Sequence, residues 1–205
     1  GKMGVAIAEA ALARGAQVTI VAGRVDVPLP DAAAVVRAER TVDMRDAVVR
    51  AVVDGGADSL VMAAAVADFR PVTTASTKLV RGERLALELE PTEDILAEVA
   101  ARARELDPRP VIVGFAAETG SLDRAPEKLR RKGADLLVAN DVSEAGSGFG
   151  SDTNRVVILG ADGSRDELPL LSKREVADRL LDRVLALLDE RRTPAHTGRQ
   201  TTEAS

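Results

Sequence analysis

Short uninterrupted apolar runs alternate along most of the chain with longer segments whose apolar residues recur at helical spacing. The stretch Ser59 to Lys78 organises this pattern. It opens with an apolar run, Leu60 to Ala67, bounded before by Gly55-Gly56 and after by Asp68 and Pro71. That length suits a strand buried on both faces, as in a parallel sheet under helices. The alanine content would also allow a helix, but Pro71 and the shortness of the run weigh against one. Such a strand ends in small residues that let a ligand approach the backbone. It then presents Asp68 at its carboxyl end, where ligands bind in open α/β sheets. An ordinary strand followed by a solvated loop is the alternative.

The same reading assigns the rest of the chain in order. Val5 to Ala13 reads as a helix ending at Arg14-Gly15, with Gly15 at a C-cap position. Gln17 to Ala22 and Val35 to Ala38 read as strands. Asp43 can cap a helix running to about Val53, with Met44, Ala47, Val48, Ala51 and Val52 at helical spacing. From Thr77 to Glu90 the alternation of Leu85, Leu87 and Leu89 indicates a half-exposed antiparallel strand. Together with Lys78-Leu79-Val80-Arg81 before Gly82, it makes a projecting hairpin arm, either an edge ornament or a contact with a second subunit. Thr92 to Ile95 starts a helix to about Leu106, its first-turn acids matching the helix dipole. Pro110 to Phe115 is a further buried strand. Asp123 or Ser121 can cap the next helix, with Pro126 in its first turn. On that helix Lys128 and Lys132 stand four apart, hence on one face, with Arg130 and Arg131 elsewhere.

Asp135 to Ala139 gives another strand, followed by a glycine-rich segment, Gly146 to Asn154, able to act as a lid or as a plain connection. Val156 to Leu159, Gly163 and Leu168 to Leu170 suggest a terminal hairpin. Ser172 and Glu175 have capping-box spacing at the head of a helix to about Leu188. No repeat is visible. A helix feeding a strand at the very start implies a βαβ unit whose first strand is not in this sequence. The expectation is therefore an α/β fold: a Rossmann-like, mostly parallel sheet with helices on both faces, plus the projecting arm. One domain spans residues 1–188, and residues 189–205 form a polar, disordered tail.

Composition changes the picture mainly by exclusion. Aromatics make up 1% of the 205 residues, so the core is built of Ala, Val, Leu and Ile. A net charge of −5 gives no nucleic-acid footprint. No apolar run approaches the ~20 residues of a membrane span. There is no cysteine and only one histidine, His196, in the polar tail. That removes thiol and Ser-His or Cys-His catalysis and makes the cytoplasm the default. The residue types that remain suit phosphoryl or nucleotidyl transfer, where positioning and charge stabilisation dominate. Positive charge is mostly arginine, 23 against five lysines. A lysine supplies a compact point charge suited to phosphate oxygens.

Three strand ends carry the chemistry: Ala63-Ala64-Ala65-Val66-Ala67-Asp68, Gly114-Phe115-Ala116-Ala117-Glu118-Thr119 and Ala139-Asn140-Asp141-Val142-Ser143. With Gly1-Lys2-Met3-Gly4, Lys78, Lys128-x3-Lys132 and Gly148-Phe149-x-Ser151-Asp152, the chain from Gly1 to about Leu188 closely resembles phosphopantothenate–cysteine ligase. In bacteria that enzyme is usually one half of a bifunctional coenzyme A biosynthesis protein. Its other half is a flavin-dependent decarboxylase, so FMN belongs to a part outside this chain.

The resemblance implies CTP-dependent ligation of 4'-phosphopantothenate to L-cysteine through an acyl-cytidylate, with Mg²⁺ accompanying CTP. Carried over by position, the nucleotide contacts are Met62, Ala63, Ala64, Asp68, Lys78, Glu93, Asp94, Ile95, Leu96, Phe115, Lys128 and Lys132. Lys78 is the catalytic candidate, Asp68 the metal candidate, and Gly1, Lys2, Asn140 and Asp141 the candidates for substrate. A homodimer is implied, with each site completed in trans by Lys78 of the neighbouring arm. Two departures are visible. The family's leading strand, phosphate turn and catalytic asparagine would precede Gly1, and its Lys-x-Lys-Lys flap reads Lys78-Leu79-Val80-Arg81. The first departure keeps a nucleotide-binding fragment or regulatory subunit as the second reading. A nicotinamide-dependent Rossmann oxidoreductase is a third, opposed by the lack of Gly-x-Gly-x-x-Gly after a strand and of any tyrosine.

Overall fold

The computed structural model describes residues 1–78, 82, 86–143 and 150–193. Its centre is a five-stranded sheet formed by β3 (Ser59–Met62), β6 (Val111–Glu118), β7 (Leu136–Asp141), β9 (Val157–Gly160) and β10 (Arg165–Glu167). The order is β10-β9-β7-β6-β3; β3, β6 and β7 run parallel, and β9 and β10 close one edge as an antiparallel hairpin. A separate parallel pair joins β1 (Thr19–Ala22) to β2 (Ala34–Arg37). Two small antiparallel pairs complete the strands, β4 (Phe69–Pro71) with β5 (Leu89–Pro91), and β8 (Thr153–Asn154) with β11 (Leu171–Ser172).

Helices cover both faces of the central sheet, as expected for strands that are continuous apolar runs. On one face α1 (Lys2–Ala13) and α5 (Lys173–Arg192) bury Ile7, Ala10, Val176, Leu180 and Val184 against Val111, Val113, Leu136 and Val138. On the other lie α2 (Thr41–Val49) with a π-helical turn at Arg50–Asp54, α3 (Ile95–Ala103) and α4 (Ala125–Lys132). These pack Val48, Val52, Ile95, Val99 and Leu129 on Ile112, Leu137 and Leu159. The alternation of Val111 and Val113 with Ile112 sends successive side chains to opposite layers. Both layers are aliphatic, matching the composition.

Several elements differ from the expectation. The strand after Gly55-Gly56 stops at Met62, and its four residues are only half-buried because β3 is the edge of the sheet rather than its centre. Asp43 does not cap α2. Its carboxylate is held by Arg40, at 2.6 and 2.7 Å, and the helix begins two residues earlier at Thr41. Neither Asp123 nor Ser121 caps α4, whose N-cap is Arg124 without a side-chain bond. The second strand of the terminal hairpin is Arg165–Glu167, not Leu168 to Leu170. Helix α5 passes Leu188 and ends at Arg192, so residues 189–192 belong to the fold and not to a tail. Arg191 holds it there by donating to the Pro110 carbonyl and to Asp135.

At the base of the arm Leu89–Pro91 pairs with Phe69–Pro71. Of the alternating leucines, Leu87 and Leu89 are exposed, and Leu85 lies outside the described residues, as do Leu79, Val80 and Arg81. So do 144–149 of the glycine-rich segment and 194–205 of the tail.

Candidate functional site

The carboxyl ends of β6 and β7 lie side by side, Glu118 beside Asp141, while β3 ends at Met62 beside Gly114, four residues before the end of β6. Parallel strands make this edge the natural ligand position in an open α/β sheet. Hydrogen bonds and ion pairs then tie the adjoining loops and helices into one assembly. Behind β3, the Ala67 carbonyl accepts from the Thr92 hydroxyl and the Asp68 carbonyl from the Thr92 amide, at 3.0 Å for the latter. Thr92 leads into Asp94, the N-cap of α3, whose Oδ1 accepts from the Ala97 amide. The other oxygen, Oδ2, accepts from Lys132 Nζ at 2.5 Å. One turn earlier on α4, Lys128 Nζ donates to Glu118 Oε1 at 3.2 Å. Gly120, after β6, donates its amide to Asp141 at the end of β7.

Helix α4 presents its lysines to this edge because Ala125 and Leu129 anchor it in the core, which places residues 128 and 132 along the rim. Lys128 and Lys132 are half-buried, whereas Arg130 and Arg131 are exposed. The helix ends at Gly133, whose φ of +65° provides the left-handed C-cap.

Lys128 and Lys132 are thus joined to Glu118 and Asp94, Asp141 is joined to the turn after β6, and Asp68 is joined through its backbone carbonyl to Thr92 before α3. Ile95 and Leu96 are buried in the core at 2% and 7% exposure, so they can offer a ligand only their backbone. Phe115 is half-buried and packs on the opposite, α1–α5 layer. Glu93 is exposed and pairs with Arg70 of β4 at 3.4 Å. Ala63 is half-buried, Ala64 is exposed, and Asn140 is buried. Asp141 accepts from the Ser143 hydroxyl, the Ser143 amide and Gly120, and these bonds hold its carboxyl below the usual range.

Lys78 is exposed on the arm, and no contact among the described residues joins it to this group. Gly1 and Lys2 form a second cluster. Lys2 Nζ donates to the Gly150 carbonyl at 2.8 Å and to Asp152 at 2.7 Å, which holds the Asp152 carboxyl low. Beside it Lys173 is 8% exposed and donates to the carbonyls of Ser151 and Thr153, and burial pushes its ammonium down. A cavity of about 260 Å³ lies against Lys2, Glu9, Val27, Asp152 and Lys173. The sequence motifs included Glu118 and Asp152 without giving either a role of its own, and Lys173 was not among the candidates. Glu118 had a readable signal, as the last residue of a strand whose neighbour ends in Asp141.

Among the described residues no three His, Cys, Asp or Glu side chains are grouped to hold a metal. Asp68 is an exposed carboxylate. Mg²⁺ is typically held by one or two carboxylates plus substrate phosphates. Asp68 therefore fits a metal that arrives with a nucleotide rather than a resident ion.

Residues 1–188 match the DNA/pantothenate metabolism flavoprotein C-terminal domain family. The chain belongs to that family. It is 42% identical over 190 residues to the coenzyme A biosynthesis bifunctional protein CoaBC of Bacillus subtilis, covering 91% of this chain and 45% of that protein. A cysteine/cysteine sulfinic acid decarboxylase from an unknown prokaryotic organism is 38% identical over 191 residues, 92% of this chain and 52% of its own. The chain thus spans about half the length of these curated relatives. The solved C-terminal domain of a coenzyme A biosynthesis bifunctional protein CoaBC matches with a TM-score of 0.75 at 38% identity, covering 93% of this chain and 85% of that one. The family and the α/β fold read from the sequence are both borne out.

Proposed function

We propose that the chain is a phosphopantothenate–cysteine ligase domain of coenzyme A biosynthesis, working in the cytoplasm and using CTP with Mg²⁺. The observation that carries this reading is the lysine face of α4, set against the carboxyl ends of the parallel strands and the N-cap of α3. Family membership supports the substrate class, and the absence of cysteine agrees with chemistry in which the reacting thiol compound is itself a substrate.

In the reaction, a carboxylate oxygen of 4'-phosphopantothenate attacks the α-phosphorus of CTP. A C–O–P bond forms, the α–β phosphoanhydride breaks, and pyrophosphate leaves. The amine of L-cysteine then attacks the acyl carbon, loses a proton and expels CMP, leaving the amide. Lys128 and Lys132 supply positive charge where charge accumulates on the nucleotide, the usual means of accelerating such transfers. The backbone at Met62, Ala63 and Ala64 and at Ile95 and Leu96, heading α3, is assigned to the nucleotide, and Asp68 is the ligand for the accompanying Mg²⁺. Lys2 and Asp141 are assigned to the substrate. We assign Lys78 to the site of a neighbouring subunit in a homodimer. FMN has no role in this domain. Because the decarboxylase relative extends well beyond the matched half, its activity is a separate outcome to be measured.

Titration with CTP and Mg²⁺ tests the reading. The chain should bind CTP, and Lys128→Ala and Lys132→Ala should each weaken binding by about 1.5–3 kcal/mol, the worth of a charge-assisted contact. Arg130→Ala should match the parent. Equal affinities for all four proteins would remove the lysine face from the site. In a turnover assay of the longer protein, amide and pyrophosphate should accumulate; CO₂ release from cysteine without amide would favour the decarboxylase chemistry instead.

A further inference from the structure

Both lysines proposed to meet the nucleotide are already paired with carboxylates on other elements. Lys128 reaches Glu118 at the end of β6, and Lys132 reaches Asp94 at the head of α3. The Lys128 and Glu118 side chains are 32% and 20% exposed, and those of Lys132 and Asp94 are 20% and 45% exposed. Asp94 is fixed further by capping α3 with its other oxygen. Neither carboxylate comes from α4 itself, where Glu127 is exposed. The lysine face is therefore neutralised by two partners held on other elements of the same chain, a strand and a helix cap.

We infer that Glu118 and Asp94 are specificity-determining residues that mask Lys128 and Lys132 against simple anions. An anion that enters this rim meets two cations whose charge is already balanced at contact distance. Inorganic pyrophosphate can gain little from lysines that keep their carboxylates, and it suffers repulsion from those carboxylates. A nucleotide has further contacts available, along the β3 end and the backbone heading α3, that can offset opening one or both pairs. Selectivity then arises from a repulsive element as well as an attractive one. The consequence is chemical: the site discriminates a nucleoside triphosphate from the pyrophosphate that the proposed reaction releases. This inference rests on the ligase reading for its nucleotide, but the masking itself concerns only the ion pairs and a small anion.

The test uses calorimetry of the whole chain with inorganic pyrophosphate and, separately, with CTP and Mg²⁺, at low salt. The proteins are the parent, Glu118→Gln, Asp94→Asn, the double variant and Glu127→Gln, which removes the same charge from α4 away from the rim. Asparagine is as good an N-cap as aspartate, so α3 is retained in Asp94→Asn. The double variant should bind pyrophosphate at least ~10-fold tighter than the parent, about 1.4 kcal/mol, with a smaller change for CTP. Each single variant should show part of the gain, and they carry the test should the double variant not fold. Glu127→Gln should stay within about two-fold of the parent. Acetic anhydride should also modify Lys128 faster in ligand-free Glu118→Gln than in the parent, read by peptide mass spectrometry. Pyrophosphate affinity within two-fold of both the parent and Glu127→Gln would overturn the inference. Loss of the nucleotide reading would appear differently, as no CTP binding by the parent, and would leave the pyrophosphate comparison decisive.

Discussion

Asp141 and Asp135 sit at opposite ends of β7 and hold the chain there by different means. Asp141 accepts three hydrogen bonds at one oxygen, from Ser143 twice and from Gly120. Its folded carboxyl is held low, chiefly by the Ser143 hydroxyl, so it binds its proton less readily than in the unfolded chain. Its stabilising contribution is present above the unfolded value of about 3.9 and is lost as pH falls through the folded value. The stability gap between the parent and Asp141→Asn should be constant near neutrality and shrink below pH ~4, as followed by urea midpoints. An undiminished gap at pH 3 would contradict this. Asp135 is 92% buried by side chain and accepts from Arg109, Arg191 and the Ile112 amide. Asp135→Ala orphans all three donors and should cost about 2–3 kcal/mol. Arg192→Ala removes a pair with Asp58 whose partners are 60% and 62% exposed, and should cost under about 1 kcal/mol. Residue chemistry of this kind was only half legible in the sequence. Lys128 and Lys132 could be placed on one face from spacing alone. Their partners Glu118 and Asp94 are 10 and 38 positions away, and only the fold makes them neighbours.

Elements were legible where the signal was local and obscure where it depended on what lay beside them. The apolar run at Val111 to Phe115 and the Ser172–Glu175 capping box each carry their own evidence, and both form as read. The partner of Leu89 could not be read from the alternation, because it is Pro71, in a strand that starts at Phe69. Edge position is likewise a property of the sheet, so Leu60 to Ala67 looked like a strand buried on both faces although β3 is half-buried and has β6 on one side only. The failed caps share a cause. The Asp43 carboxylate is taken by Arg40, and the Ser121 hydroxyl accepts from the Asp123 amide. Element packing also yields a direct test at Gly114, where β6 passes under α3. A Cβ there would lie 2.5 Å from Leu96 Cδ2 and 3.1 Å from Leu137 Cδ1. Gly114→Ala should therefore destabilise by about 1–3 kcal/mol, the usual range for overpacking. It should also displace Leu96 and weaken CTP binding. In a Leu96→Ala background the added methyl finds space, so the double mutant should be less destabilised than the sum. Strict additivity would mean that the strand, and not Leu96, absorbs the change.

At the scale of the whole molecule, the α/β architecture followed from the run of elements, while the site is incomplete without a second copy in the reading advanced here. The β4–β5 arm leaves Phe69, Val72, Leu87 and Leu89 exposed at 58%, 44%, 64% and 52%. A two-stranded hairpin is marginal alone in water, and clustered apolar exposure of this kind marks an interaction surface. A two-fold dimer is the commonest way to cover such a surface with one chain. The arm also carries Lys78, which stands apart from the contacts that join Asp94, Glu118, Lys128 and Lys132. We therefore expect a homodimer in sedimentation, with Lys78 serving the partner's site. Phe69→Ser together with Leu89→Ser should shift it toward monomer. In the longer protein, Lys78→Ala should keep the dimer and impair formation of the acyl-cytidylate. Mixing Lys78→Ala with Asp68→Ala subunits should restore part of the activity, because one site of the mixed dimer then has both residues intact. A sedimentation coefficient for a monomer, or no rescue once subunit exchange is demonstrated, would reject the shared site and return the arm to an ornament of the sheet edge.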